Sequence, residues 1–94
     1  MNEKGKLPEI FRPILWSYRF EDMDPDKHKG EIIVNTINYG NLTHWRWIIH
    51  FYGKQVIREV LQGRLVTEFT KESRNLAQLI FSINHFRDAR RSAH

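Results

Sequence analysis

Three features of the chain predict an all-α fold, a compact bundle of about five short helices. Apolar residues recur at helical spacing in several stretches and do not alternate. Start and stop signals punctuate those stretches at Asp24-Pro25, Gly40-Asn41, Gly53, Gly63 and Thr70. The tryptophan-rich centre WRWIIHFY, residues 45–52, fits a half-buried strand poorly. As a strand it would set both tryptophans with Ile49 and Phe51 on one face, leaving Ile48 and Tyr52 with Arg46 and His50 on the other.

The elements follow in chain order. PEIFRPILW, residues 8–16, reads as a short helix broken or restarted at Pro13, with Phe11, Ile14 and Leu15 on its buried side. The connection that follows is rich in turn-favouring residues yet carries Tyr18, Phe20 and Met23, so it is expected to lie across the core. Asp24-Pro25-Asp26 reads as a helix start, with Asp24 as N-cap and Pro25 at the first helical position. That helix is expected to run to about Asn38, burying Ile32, Ile33 and Ile37, and to end with Gly40 in the left-handed conformation. Asn41 then caps the next helix.

For residues 42–52 in helical form, Trp45, Ile49, Leu42, Tyr52, Ile48, Phe51 and Trp47 cover an arc of about 220°. A surface helix commonly buries a stripe of only about 100°. This helix is therefore expected to be packed on two sides, either as the centre of the bundle or with one side reserved for a partner. Beyond Gly53, KQVIREVLQ places Val56, Ile57, Val60 and Leu61 on one face, and Gly63 ends it. Leu65, Val66 and Phe69 are expected to anchor the next connection, and Thr70 to cap a last helix. That helix should bury Leu76, Leu79, Ile80 and Ile83, the most regular amphipathic pattern in the chain. Residues 1–84 thus read as a single helical domain and 85–94 as a basic tail expected to fray unless bound.

Charge and composition exclude several functions. The net charge is +4 over 94 residues, but Arg87, Arg90 and Arg91, offset by Asp88, carry half of it. The remaining 12 basic and 10 acidic groups of residues 1–84 make no footprint for a phosphate backbone. Cysteine is absent, which removes disulfides and thiolate metal sites and suits a reducing cytoplasm. No apolar run of membrane-spanning length and no export signal is evident, so a cytoplasmic protein without membrane contact is expected.

Catalytic and metal chemistry find no constellation. Asp22, Asp24 and Asp26 have the spacing that opens a calcium loop, but Lys27 stands where its glycine belongs and Ile33 where its bidentate glutamate belongs. His44 and His50 are six residues apart and cannot chelate together from one helix face; with His28, His85 and His94 they form no metal-binding pair. His44 and His50 are expected to be ordinary, partly exposed groups. Ser17, Ser73, Ser82 and Ser92 sit in no nucleophile turn, and the five glycines form no phosphate loop. Glu59, Glu68 and Glu72 read as solvated helix-face groups. No catalytic, cofactor-binding or metal-binding residue is assigned, and a non-enzymatic protein is expected.

A DNA-reading helix-turn-helix is the specific alternative, since residues 42–62 are two helices meeting at a glycine. Alignment on Gly53 puts Ile49 where a small residue belongs, and Lys54 and Glu59 where apolar contacts belong. Its contact residues would be Lys54, Gln55 and Arg58, with Arg87, Arg90 and Arg91 adding non-specific affinity.

LPEIFRPILWSYRFEDMDPDKH, INYGNLTHWRWIIHFYGKQVIREVL and NLAQLIFSI, in that order, resemble an uncharacterised family of small bacterial and archaeal proteins. Trp16, Asp24, His28, Gly40, Trp47, Tyr52, Gly53, Ile57, Leu61 and Asn75 match its pattern, and the resemblance covers about residues 7 to 83. Where that family carries a short basic run before its last helix, this chain has the longer RLVTEFTKESR. Genes of the family often lie beside nucleotidyltransferase-type toxin genes, so the resemblance implies an antitoxin-like partner of such a toxin. The expected contact residues are Arg46, Trp47, His50 and Phe51, since Trp and Arg are frequent interface anchors. Homodimerisation is the other use of the same surface. The competing reading packs Trp47 and Phe51 against the first helix and the 17–23 connection.

Overall fold

The computed structural model describes residues 7–64 and 66–81. Among them the fold is all-α: three 3-10 segments, Glu9–Leu15, Phe20–Asp22 and Val66–Glu68, and four α-helices. The helices are α1 (Lys29–Tyr39), α2 (Leu42–Tyr52), α3 (Lys54–Gln62) and α4 (Lys71–Phe81). No strand occurs among the described residues.

The hub of the bundle is α1. It packs against the Glu9–Leu15 segment and against α2, α3 and α4. Ile32, Ile33, Val34, Thr36 and Ile37 are all buried, a spread too wide for one face. Thr36 can sit there because its hydroxyl donates to the carbonyl of Ile32 at 2.7 Å, so its own polar atom is not orphaned. Around α1 the core collects Phe11, Ile14 and Leu15 from the first segment and Met23 from the connection after it, with Trp45, Ile48, Ile57, Leu61, Phe69, Ala77 and Phe81 from the rest. Of the three apolar residues expected to carry the 17–23 connection over the core, Met23 is buried and Phe20 half-buried against it, whereas Tyr18 is exposed.

Two helix boundaries differ from the sequence reading. The Asp24 carboxylate caps as expected, accepting from the N–H groups of Asp26 and Lys27. Those donors hold its carboxyl below the usual carboxylate range. What they cap is a turn over residues 25–28, and α1 proper begins at Lys29. The imidazole explains the delay: Nδ1 of His28 accepts from the Asp24 N–H at 3.0 Å, closing the turn on itself before the helix starts. Gly40 is not left-handed either; it leaves α1 extended, at φ −79° and ψ 163°. Glycine is needed there for closeness, since an added Cβ would lie 2.7 Å from the Thr36 carbonyl oxygen and 2.9 Å from the His44 Cβ. The left-handed glycine is Gly53, at φ 90° and ψ 151°, a region that other residues enter at a cost of about 1–3 kcal/mol.

The face buried by α4 is also not the predicted one. Ser73, Ala77 and Phe81 are buried and Ile80 packs on the core. Leu76 is 45% and Leu79 79% exposed; Ile83, Leu65 and the 85–94 tail lie outside the described residues, as does the side chain of Val66. Tie points set this orientation. Thr70 caps α4 by accepting from the Ser73 N–H, while Asn38 of α1 donates to the Glu68 carbonyl and accepts from the Thr70 N–H. At the other end Phe81 stacks on Trp45 at 5.8 Å, and Arg58 of α3 donates to the Phe81 carbonyl at 3.2 Å. Pinned at both ends, α4 turns its small residues to the core, which lets the helices approach. Leu79→Ser is accordingly expected to change the unfolding free energy by less than about 0.5 kcal/mol. Ala77→Leu should cost about 1–3 kcal/mol by overpacking. Urea denaturation of the two variants checks this, and the reverse ranking would mean that α4 buries its leucine row.

Candidate protein-contact face on α2

Helix α2 begins with a reciprocal cap. The Asn41 side chain accepts from the N–H groups of Thr43 and His44, and the Asn41 N–H donates back to Nδ1 of His44 at 3.0 Å. Nδ1 is thereby an acceptor, so the proton sits on Nε2, which donates to the Ile10 carbonyl at 2.6 Å. His44 is therefore buried and structural, a correction to its expected partial exposure. One imidazole joins the start of α2 to the Glu9–Leu15 segment that crosses it.

The two tryptophans point to opposite sides, as helical spacing requires. Trp45 is buried and stacks on Phe81 of α4. Trp47 meets fully buried Phe11 edge-on, with centroids 5.0 Å apart and planes at 69°. Helix α2 is thus packed on two sides by its own chain, and the half-buried Trp47 does use the first segment as its wall.

The outer surface of α2 is not covered in full. Phe51 lies stacked on Trp47 at 4.6 Å and 11° and remains 48% exposed. Tyr52 meets both rings edge-on and donates its hydroxyl to the Pro25 carbonyl at 2.7 Å. Rings therefore run without a break from the core at Phe11 to the surface at Phe51. Arg46 and His50 are exposed one turn apart on this outward side. Sequence reasoning missed Leu42, which was counted in the packed arc but is 64% exposed. It shares the i, i+4, i+8 row with Arg46 and His50, whereas the first segment meets α2 at His44 and Trp47. All four expected contact residues thus share one side of the helix, with Trp47 as the half-buried backing of Phe51.

Burial pushes the Tyr52 phenol above the ordinary tyrosine range, and the carboxylates of Asp26 and Asp24 push the same way. The neutral phenol is the favoured form in the fold. Its contribution to stability is complete below the unfolded pKa of about 10 and is lost as pH rises through the higher folded value. Alkaline difference spectroscopy should show one phenol titrating late in the native protein, and Tyr52→Phe should abolish that late component. Persistence of the late component in the variant would assign it elsewhere.

The alternative nucleic-acid residues do not form an open basic face. Lys54 and Gln55 are exposed, but Gln55 donates to the Glu59 carboxylate at 2.9 Å and Arg58 is taken by Phe81. Arg87, Arg90 and Arg91 lie outside the described residues. Only Gly53 links α2 to α3, shorter than the three- to four-residue turn of a helix-turn-helix. Among the described residues no group of three or more His, Asp or Glu side chains is placed to hold a metal ion, and no helix is long and apolar enough to cross a membrane.

No curated protein and no solved structure matches the chain. A family model does, over residues 10–61, from the first segment through α3 and so including the whole α2 face. That match spans more than half of the sequence, and the chain belongs to a family of unknown function, DUF6922.

Proposed function

We propose that the chain is a non-enzymatic protein-interaction module that holds a partner through the outward face of α2. One observation carries the reading: an exposed phenylalanine is stacked on a tryptophan that is itself braced by the core, beside an exposed arginine. A rigid aromatic anchor loses little conformational freedom on binding, which is why such residues dominate the energetics of interfaces. Together with the family resemblance drawn from the sequence, this supports an antitoxin-like role with a nucleotidyltransferase-type toxin as partner. The DNA-binding alternative draws less support, because Arg58 is engaged within the fold and the link between α2 and α3 is a single residue.

The test is co-expression with the product of the neighbouring gene, followed by affinity measurement. Phe51→Ala should weaken the complex about tenfold or more while leaving the melting temperature nearly unchanged. Trp47→Ala is the less useful variant, since it also removes the wall against Phe11. A complex of undiminished affinity with Phe51→Ala, or no association at micromolar concentration, overturns the reading. Duplex DNA bound selectively by a chain lacking residues 85–94 would favour the regulator instead.

A further inference from the structure

From Ile32 to Arg58 the chain contains no acidic residue, although Arg46, Lys54 and Arg58 fall within that run. The fold accounts for one of the three cations, as Arg58 binds the end of α4. Three other arginines are paired within the chain, Arg12 with Glu9 and Glu21, Arg19 with Asp22, and Arg64 with Glu68 and Glu31, whereas Arg74 on α4, away from this face, has no ion pair among the described residues. Arg46 has no ion pair or hydrogen bond among the described residues, and its own helix offers no carboxylate. Asp26 and Asp24 act on Tyr52 at the far end of the helix, and of these Asp24 already accepts from two backbone N–H groups. Among the described residues, a guanidinium without a partner therefore stands between Leu42 and His50 in one row, on the same side of the helix as the Trp47–Phe51 stack.

We propose that the α2 face takes an acidic polypeptide segment, one of whose carboxylates pairs with Arg46 while a neighbouring apolar side chain lies on Phe51 and Leu42. This rests on the interaction-module reading and adds the chemistry of the partner. Arginine pairs with a carboxylate in a two-pronged geometry, and a face without carboxylates of its own offers such a partner no like-charge repulsion. Nucleic acid fits less well: residues 7–81 hold ten basic and nine acidic groups, so few phosphates could be neutralised at once.

The full chain is used to select peptides from a random phage-displayed library, and the recovered sequences are tested by fluorescence anisotropy. The expected peptides are enriched in Asp or Glu flanking an aromatic or aliphatic residue. Binding should fall about tenfold or more with Arg46→Glu and with Phe51→Ala, and should be unchanged with Lys71→Glu on α4. The Arg46→Glu chain should recover affinity for the selected peptide once its acidic residue is changed to lysine. Peptides that need Phe51 but show no acidic enrichment, or that ignore Arg46→Glu, overturn the acidic-partner inference and leave the interaction-module reading standing. A library yielding no Phe51-dependent binder overturns both. Duplex DNA that binds in an Arg46-dependent manner, or self-association abolished by Arg46→Glu, overturns the inference in favour of nucleic acid or of a second copy.

Discussion

Phe11→Ala is expected to lower the unfolding free energy by about 3–5 kcal/mol, the usual range for truncating a fully buried phenylalanine. The ring is completely enclosed and meets two others edge-on, His44 and Trp47, each at a centroid distance of 5.0 Å. Its removal therefore opens a cavity and also ends two aromatic contacts that together hold the first segment against α2. Domains of this size are stabilised by about 5–15 kcal/mol, so the variant would keep only part of its margin. Thermal melts should fall by about 15 °C or more. A loss under about 1 kcal/mol in urea denaturation would mean that the first segment is not docked on α2.

For His44→Ala a loss of about 2–4 kcal/mol is expected, smaller because one of the stranded groups can reach water. Alanine leaves the Ile10 carbonyl without its donor and the Asn41 N–H without its acceptor. An unmet buried polar group costs about 1–3 kcal/mol, and the space once filled by the imidazole adds to this. The Phe11 and His44 rings touch, so their effects should not add. In the double variant the combined loss should fall short of the sum, because the first segment can be undocked only once. Strict additivity would show that the two side chains hold separate parts of the fold. Hydrogen exchange provides a second readout, since His44→Ala should expose the first turn of α2 ahead of α4.

The two histidines that accept from backbone N–H groups illustrate how far local chemistry could be read. Both turns were legible from Asp24 and Asn41, because a capping side chain binds N–H groups two or three residues ahead and nothing more distant is involved. That His28 and His44 reach back to the same residues was not legible, since an imidazole can equally face solvent. The contact from His44 to Ile10 spans 34 residues and follows from the docking of the first segment. Similarly, Arg46, Trp47, His50 and Phe51 could be assigned to one side of a helix from their spacing alone. Only the tertiary structure divides them into a braced ring, an exposed ring and a cation with no ion pair among the described residues.

Helix α4 marks the boundary most clearly. Its start at Thr70 and its helical character were written in the sequence, but its most regular apolar row was not the one it buries. Periodicity reports that a helix has a greasy side; it does not report the height at which neighbouring helices stand. Asn38, Arg58 and the Trp45–Phe81 stack hold α4 by its two ends, and at that separation Ser73 and Ala77 fit where leucine would not. By itself the sequence determined the all-α class, the Asn41 and Thr70 caps and the opposed tryptophans of α2, all of which depend on residues within about two turns of one another. Which helix became the hub, which rows were buried and which arginines found carboxylates were decided only in the tertiary structure, because each depends on the distance between elements remote in the chain.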